Sequence, residues 1–242
     1  MRSANSLWPL LVLAACAGPA YADSAHPAPP YPAMAPVSQY MMDRDAEIAL
    51  ARSGAPSSIA PNVEVLVLGL HGYEIAVKGS NGFVCYVGRS WENDFSHPEF
   101  WEPDNRAPEC VNAIAAAWWL PIYRQRTEWV LSGMSKDEMI AKTKAVIAAK
   151  QIVAAPAGAM CFMLSKQGWL GNQAGGPWHP HVMFWGPQGP ESTWGANVAG
   201  SPIAAAPSDL MPFTMYFIPV RRWSDGTLAE YASQPQDKHH SH

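Results

Sequence analysis

The segment at residues 178–185, with the sequence WHPHVMFW, holds the side chains best suited to chemistry. Alternate residues of a β-strand point to the same side, so His179, His181 and Met183 would share one face. Imidazole is a common ligand of zinc and copper, and a thioether beside it suits copper. Cys161 would approach this face if its own apolar segment pairs with this one in an antiparallel hairpin. The spacing therefore predicts a copper or zinc site at His179, His181, Met183 and Cys161.

The same histidines admit other roles. Two imidazoles are fewer ligands than a defined metal site needs, and strand-edge histidines often bond only to backbone or water. His179 and His181 could instead serve as the acid and base of an enzyme. Cys161 could act as a nucleophile only with such a base beside it, whereas its neighbours Met160 and Phe162 indicate a buried thiol.

A long acidic and aromatic segment spans residues 89–110 and follows neither a helical nor a strand period. Structureless segments of this length are often functional. Its carboxylates are Glu92, Asp94, Glu99, Glu102, Asp104 and Glu109. They could bind Ca²⁺, but the EF-hand spacing is absent and a solvated loop is the simpler interpretation. Its aromatic residues are Trp91, Phe95, Phe100 and Trp101. They could cover a pocket, dock a partner protein or pack on the core.

Three weaker candidates lie elsewhere. His71 and Glu74 lie near the tip between two predicted strands and could form an acid–base pair or bind a metal, but solvated turn positions are the favoured interpretation. Arg221 and Arg222 follow the last predicted strand and could bind a carboxylate or a phosphate. The histidines of residues 239–242 form a tail with affinity for metals.

Composition excludes several function classes. The formal net charge is −4 and charged residues make up 15% of the chain, without the basic patch that nucleic-acid binding requires. The sequence also lacks G-x-S-x-G, Walker A, G-x-G-x-x-G, H-E-x-x-H and C-x-x-C-H. Serine hydrolases of that type, nucleotide-binding enzymes, zinc proteases and c-type cytochromes are therefore disfavoured.

The N-terminus predicts export. Arg2 precedes a short apolar run at residues 7–15, as in a secretory signal. Cleavage after Ala22 and lipoprotein processing at Cys16 both fit the residues, so the domain is predicted to be periplasmic or secreted, with a lipid anchor on Cys16 as its one route to a membrane. No later segment reaches the roughly 18 apolar residues of a transmembrane helix.

Three cysteines follow the predicted signal. An exported protein favours disulfides, and an odd number leaves one thiol free. Cys85–Cys110 is the first candidate for the disulfide and Cys85–Cys161 is the rival.

The chain divides into four predicted parts. Residues 1–22 form the signal, 23–38 a Pro/Ala-rich tether, 39–228 one domain and 229–242 a flexible tail. Helices are predicted at 40–53, 111–131 and 135–151, and strands at 63–68, 73–78, 83–88, 159–165, 180–185 and 213–220. A hairpin is predicted around 79–82 because its Asn-Gly pair suits a tight turn. Pro121 is expected to kink or divide the second helix.

This order predicts an α+β domain with a mostly antiparallel sheet of five or six strands and helices packed on one face. The predicted function is the binding of a small ligand, with copper or zinc at the histidine segment as the most specific form. An enzyme that uses His179 and His181, and a protein that docks a partner through residues 89–110, are the alternatives.

Overall fold

The computed structural model describes residues 31–171 and 179–230. The predicted signal with Cys16, the first part of the tether and residues 231–242 of the tail lie outside these ranges. Among the described residues, no helix combines the length and apolar character that a membrane crossing requires.

The described residues form eight strands and three α-helices. The strands are β1 (Glu64–Gly69), β2 (Gly72–Val77), β3 (Val84–Gly88), β4 (Ala107–Val111), β5 (Met160–Met163), β6 (His181–Pro187), β7 (Ala204–Pro207) and β8 (Phe213–Pro219). The helices are α1 (Arg44–Arg52), α2 (Ala113–Leu131) and α3 (Lys136–Ala148). All strands belong to one sheet in the order β2-β1-β3-β4-β5-β6-β8-β7.

The α+β class and the mostly antiparallel sheet are confirmed, but the sheet has eight strands rather than five or six. The two strands that were not predicted are β4 and β7. β4 lies at the end of the segment that was expected to be a structureless loop. It contains Pro108 and Glu109, residue types that are uncommon in strands. β7 is an alanine run without the β-branched or aromatic residues that mark strands.

The predicted hairpin between the second and third strands is wrong. β2 pairs with β1, whereas β1 and β3 are parallel neighbours. The Asn81 side chain accepts a hydrogen bond from Phe83 N and donates one to Ile59 O, so it shapes a crossover instead of a hairpin turn. The burial of the strands explains the order, because all five residues of β3 are buried and require a central position, whereas β2 is partly exposed and suits the edge.

The helices cover both faces of the sheet, so the prediction of one covered face is also wrong. Cys85 and Val87 of β3 join the core cluster that contains residues of α1. Tyr86, between them, joins the opposite cluster together with Trp119 of α2. Because successive strand residues alternate in direction, β3 supplies both cores.

The predicted Cys85–Cys110 disulfide is confirmed, and Cys161 is free and buried. The disulfide joins β3 to β4 at a directly paired position. A covalent link between these neighbours fixes the register of the strands that carry the cavity described below.

The two long helices begin at side-chain caps. The Asn112 side chain accepts a hydrogen bond from Ala115 N at the start of α2. A capping box of Ser135 and Glu138 opens α3. Pro121 lies inside α2 and does not divide it.

The described part of the predicted tether contacts the domain. Tyr31, Met34 and Ala35 pack against the larger core cluster. Ala35 N donates a hydrogen bond to the Tyr40 hydroxyl (3.1 Å), which in turn donates to Trp101 O (2.8 Å). These contacts attach residues 31–40 to the segment that follows β3.

Candidate functional site

A cavity of about 340 Å³ lies on the α2 face of the sheet. Its walls combine the segment that follows β3 with side chains of α2, β5, β6 and β8. The apolar part of the lining includes four methionines and four aromatic residues, Met163, Met183, Met211, Met215, Trp119, Trp185, Phe213 and Phe217. Sites for small molecules have similar volumes and a similarly apolar lining.

Two carboxyl groups, Glu92 and Glu109, also line this cavity. Glu92 ends a 3₁₀ turn that directly follows β3, and Glu109 lies in β4 opposite Tyr86 of β3. The Tyr86 hydroxyl lies 2.8 Å from Glu92 Oε1 and 3.0 Å from Glu109 Oε2. Trp119 Nε1 donates to Glu92 Oε1 at 2.9 Å, and Cys161 Sγ lies 3.7 Å from Glu109 Oε2. Neutral hydrogen-bond donors therefore surround the pair.

The two carboxyls affect each other's ionisation. Burial raises the pKa of Glu92 to about 7. Burial, and after it the charge of Glu92, raises the pKa of Glu109 well above its usual value. Glu92 Oε2 is buried and has no hydrogen-bond partner among the described residues. Since two adjacent buried carboxylates cannot both ionise readily, the pair changes from neutral to singly charged near pH 7.

Gly88 makes room for the pair. A Cβ atom added at this residue would lie 2.1 Å from Glu92 Oε2 and 3.2 Å from Glu109 Oε1. The carboxyl oxygens thus occupy the space that a side chain at residue 88 would need. Any other residue at this position would displace Glu92.

Arg126 of α2 positions the backbone around Glu92. Its Nη1 donates hydrogen bonds to Trp91 O (3.1 Å) and Asn93 O (3.0 Å), and its guanidinium lies 4.4 Å from the centre of the Phe95 ring. Burial lowers the pKa of Arg126. These contacts fix the residues on both sides of Glu92 against α2.

A buried ion pair holds the start of the same segment. Arg89 Nη2 lies 2.8 Å from Glu47 Oε1 of α1, and Arg89 Nε donates to Tyr40 O at 2.8 Å. Glu47 Oε1 also accepts a hydrogen bond from Leu68 N of β1. Through Glu47, α1 therefore holds Arg89 in the cavity wall, although α1 packs on the other face of the sheet.

The structure brings together part of the predicted metal site. His181 and Met183 line the cavity, and Cys161 pairs with Met183 across β5 and β6. His179 precedes β6 and does not belong to the lining; its carbonyl oxygen lies 2.8 Å from His181 Nδ1. Burial lowers the pKa of His181 and raises that of Cys161. Within residues 31–171 and 179–230, no three histidine, cysteine or acidic side chains are arranged to hold a metal ion, so the predicted copper or zinc site gains no support.

The aromatic residues of the 89–110 segment are buried. Trp91, Phe95, Phe100 and Trp101 all belong to the larger core cluster. A partner-docking role would need them on the surface, so the structure favours the alternative in which they pack on the core. The segment serves as one wall of the cavity.

The weaker candidates remain on the surface. Glu74 forms an exposed salt bridge with Arg44 (2.6 Å), and His71 is exposed at the tip between β1 and β2. Arg222 donates a hydrogen bond to Gly226 O, and Arg221 is exposed. None of these residues lines the cavity.

In the sequence, Glu92 and Glu109 look like two of several solvated acids in one loop. A better signal was available for Glu109, which precedes Cys110 of the predicted disulfide. Pairing Cys85 with Cys110 in antiparallel strands places Glu109 beside Tyr86, on the opposite face from the disulfide. Nothing local marks Glu92, which reaches the pair through the turn after β3.

Comparisons with protein-family models, with curated proteins and with solved structures gave no match for this chain. The chemistry of the cavity is thus the basis for assigning a role. A carboxyl pair with raised pKa values in an apolar cavity can bind a ligand through a hydrogen bond or a charge, and it can exchange a proton with that ligand.

Proposed function

We propose that this domain binds a small, largely apolar organic molecule in the cavity, with the Glu92–Glu109 pair as its polar anchor. The observation that carries this proposal is a buried carboxyl pair without a salt bridge at the wall of an apolar cavity. Burying ionisable groups destabilises a fold. Groups with such perturbed pKa values therefore concentrate at functional sites.

The rest of the lining supports an apolar ligand. Four methionines line the cavity, and their unbranched, polarisable side chains adapt to ligands of different shape. Trp119 and Trp185 add flat apolar surface, with ring centres 6.2 Å apart. Such a lining gains affinity mainly from the apolar area that a ligand removes from water.

We propose further that the domain acts outside the cytoplasm. The Cys85–Cys110 disulfide supports this location, because disulfides persist in oxidising compartments. The signal-like N-terminus supports it independently.

Filling the cavity tests the proposal. Ala206 of β7 lines the cavity and pairs with Met215, whereas Ala205 pairs with Tyr216 on the other face of the sheet. The probe in this assay is N-phenyl-1-naphthylamine, a neutral apolar dye whose fluorescence rises in apolar sites. We expect Ala206→Phe to weaken dye binding about tenfold or more, since a loss of about 1.4 kcal/mol suffices.

Ala205→Phe is the matched control, because it adds the same ring to the opposite face. It should bind the dye like the unmodified protein. Equal binding by Ala206→Phe and Ala205→Phe, with both variants folded by circular dichroism, would contradict binding in this cavity.

A further inference from the structure

We infer that the molecule bound in the cavity is an organic cation, with an amine or guanidine-like group that meets the Glu92–Glu109 pair and an apolar body that fills the remaining space. This inference rests on the proposed function, because it names the class of molecule that the same cavity takes.

The first argument is a missing counter-charge. Tyr86, Trp119 and Cys161 surround the pair, and all three are neutral donors that stabilise a negative charge without cancelling it. The three salt bridges among the described residues join Arg44 to Glu74, Arg89 to Glu47 and Lys166 to Asp225. No basic side chain of that part of the chain therefore lies within salt-bridge distance of either carboxyl.

The cationic side chains that line the cavity have other partners. Arg89 is paired with Glu47. The charge of Arg126 lowers the pKa of Glu92, but Arg126 forms no salt bridge with it; Nη1 donates to backbone carbonyls and the guanidinium lies over the Phe95 ring. An uncompensated charge inside a protein is costly unless it is paired. A cationic ligand would supply the partner that the fold does not.

The second argument is the aromatic wall beside the pair. The Trp119 indole, whose Nε1 donates to Glu92, stacks on Trp185 with ring centres 6.2 Å apart. Phe213 contacts Trp119 edge-to-face at 5.8 Å. Aromatic faces attract cations, most strongly when water is excluded. Trp119 also stacks on Tyr123, so only a ring face of this wall that the ligand can reach would favour the same sign of charge as the carboxyl pair.

Other charge states suit the cavity less well. An anionic ligand would meet the negative pair, while Arg89 is already paired with Glu47 and Arg126 already donates to the backbone carbonyls of Trp91 and Asn93. A neutral ligand of the same shape would gain the apolar contacts but would leave the charge of the pair unpaired. The inference therefore predicts an affinity order of cation, then neutral molecule, then anion.

The experiment compares three molecules that differ in one group. 4-Phenylbutylamine, 4-phenylbutan-1-ol and 4-phenylbutyrate are titrated into the full chain at pH 8 by calorimetry, with displacement of N-phenyl-1-naphthylamine as a second readout. We expect the amine to bind about tenfold or more tightly than the alcohol, because hydrogen bonds between charged groups are the strong ones. The carboxylate should bind most weakly.

Two variants test whether the Glu92–Glu109 pair causes the preference for the amine. Glu92→Gln/Glu109→Gln keeps the shape and removes the charge, so the amine and the alcohol should bind it equally. Glu102→Gln is the matched control, because Glu102 is a buried acid of the same segment that does not line the cavity. It should keep the preference for the amine.

The outcomes separate the two proposals. If the unmodified protein binds the alcohol as tightly as the amine, the inference of a cationic ligand is overturned, but the proposed binding of an apolar molecule in the cavity stands. An amine preference that survives in Glu92→Gln/Glu109→Gln would also overturn it. Failure of the dye and of all three molecules to bind would overturn the proposed function together with the inference.

Discussion

The carboxyl pair should make this domain less stable as the pH rises. In the unfolded chain a glutamate loses its proton near pH 4.5, whereas burial raises the pKa of folded Glu92 to about 7 and that of Glu109 well above its usual value. Between these values the folded state binds more protons than the unfolded state. The stabilising effect of protonation is therefore complete below pH 4.5 and is lost as the pH rises through 7.

The size of the effect follows from the pKa of Glu92. A change from 4.5 to about 7 corresponds to about 3 kcal/mol. Glu109 adds to this loss in the same direction. Domains are stable by only about 5–15 kcal/mol in total, so the loss is a large share. His97 and His181 act in the opposite sense, because burial lowers their pKa values and their protonation destabilises the fold below about pH 6.5.

A variant isolates the pair from these histidines. Glu92→Gln/Glu109→Gln resembles the protonated pair in shape and hydrogen bonding but does not titrate. Urea unfolding at pH 4 and pH 8, followed by tryptophan fluorescence, measures the free energy of unfolding of both proteins. We expect the unmodified protein to lose about 3 kcal/mol or more relative to the variant over this range. A difference that stays constant from pH 4 to pH 8 would refute a buried pair whose pKa values are raised.

Two further predictions concern the framework around the cavity. Cys85→Ala/Cys110→Ala should lower the free energy of unfolding by about 3.5 kcal/mol, because the disulfide spans 25 residues; urea unfolding measures it, and an unchanged midpoint would contradict it. Arg89→Met should cost about 3 kcal/mol or more because it leaves Glu47 buried without its partner. Glu47→Leu/Arg89→Met should recover part of that loss, and a double variant as unstable as Arg89→Met would show that the ion pair is not the cause.

Local patterns in the sequence identified much of the secondary structure. The capping box of Ser135 and Glu138 starts α3 where it was predicted, because capping depends on residues three positions apart. The strands β5, β6 and β8 follow from apolar runs, and their hydrophobicity indicates burial without reference to any partner. The Cys85–Cys110 disulfide was the first candidate from the small number of cysteines.

The errors concern relations between distant segments. Asn81-Gly82 looked like a hairpin turn, yet β2 pairs with β1 and the chain crosses over to β3. β4 could not be predicted from its residues, because it forms a strand through its position between β3 and β5. The same cause hid the second covered face of the sheet, since only the order of the strands decides where α1 can pack.

The candidate site likewise combines features that depend on local sequence with features that depend on tertiary structure. A two-residue period is a local property, so the sequence by itself determined that His181 and Met183 share a face, and both line the cavity. Tertiary structure alone decided that Glu92 and Glu109, 17 positions apart and embedded in an acidic segment, would meet at the Tyr86 hydroxyl. The pKa of a carboxyl depends on how much water and which charges surround it in space, and strand pairing sets that environment after the local conformation has formed.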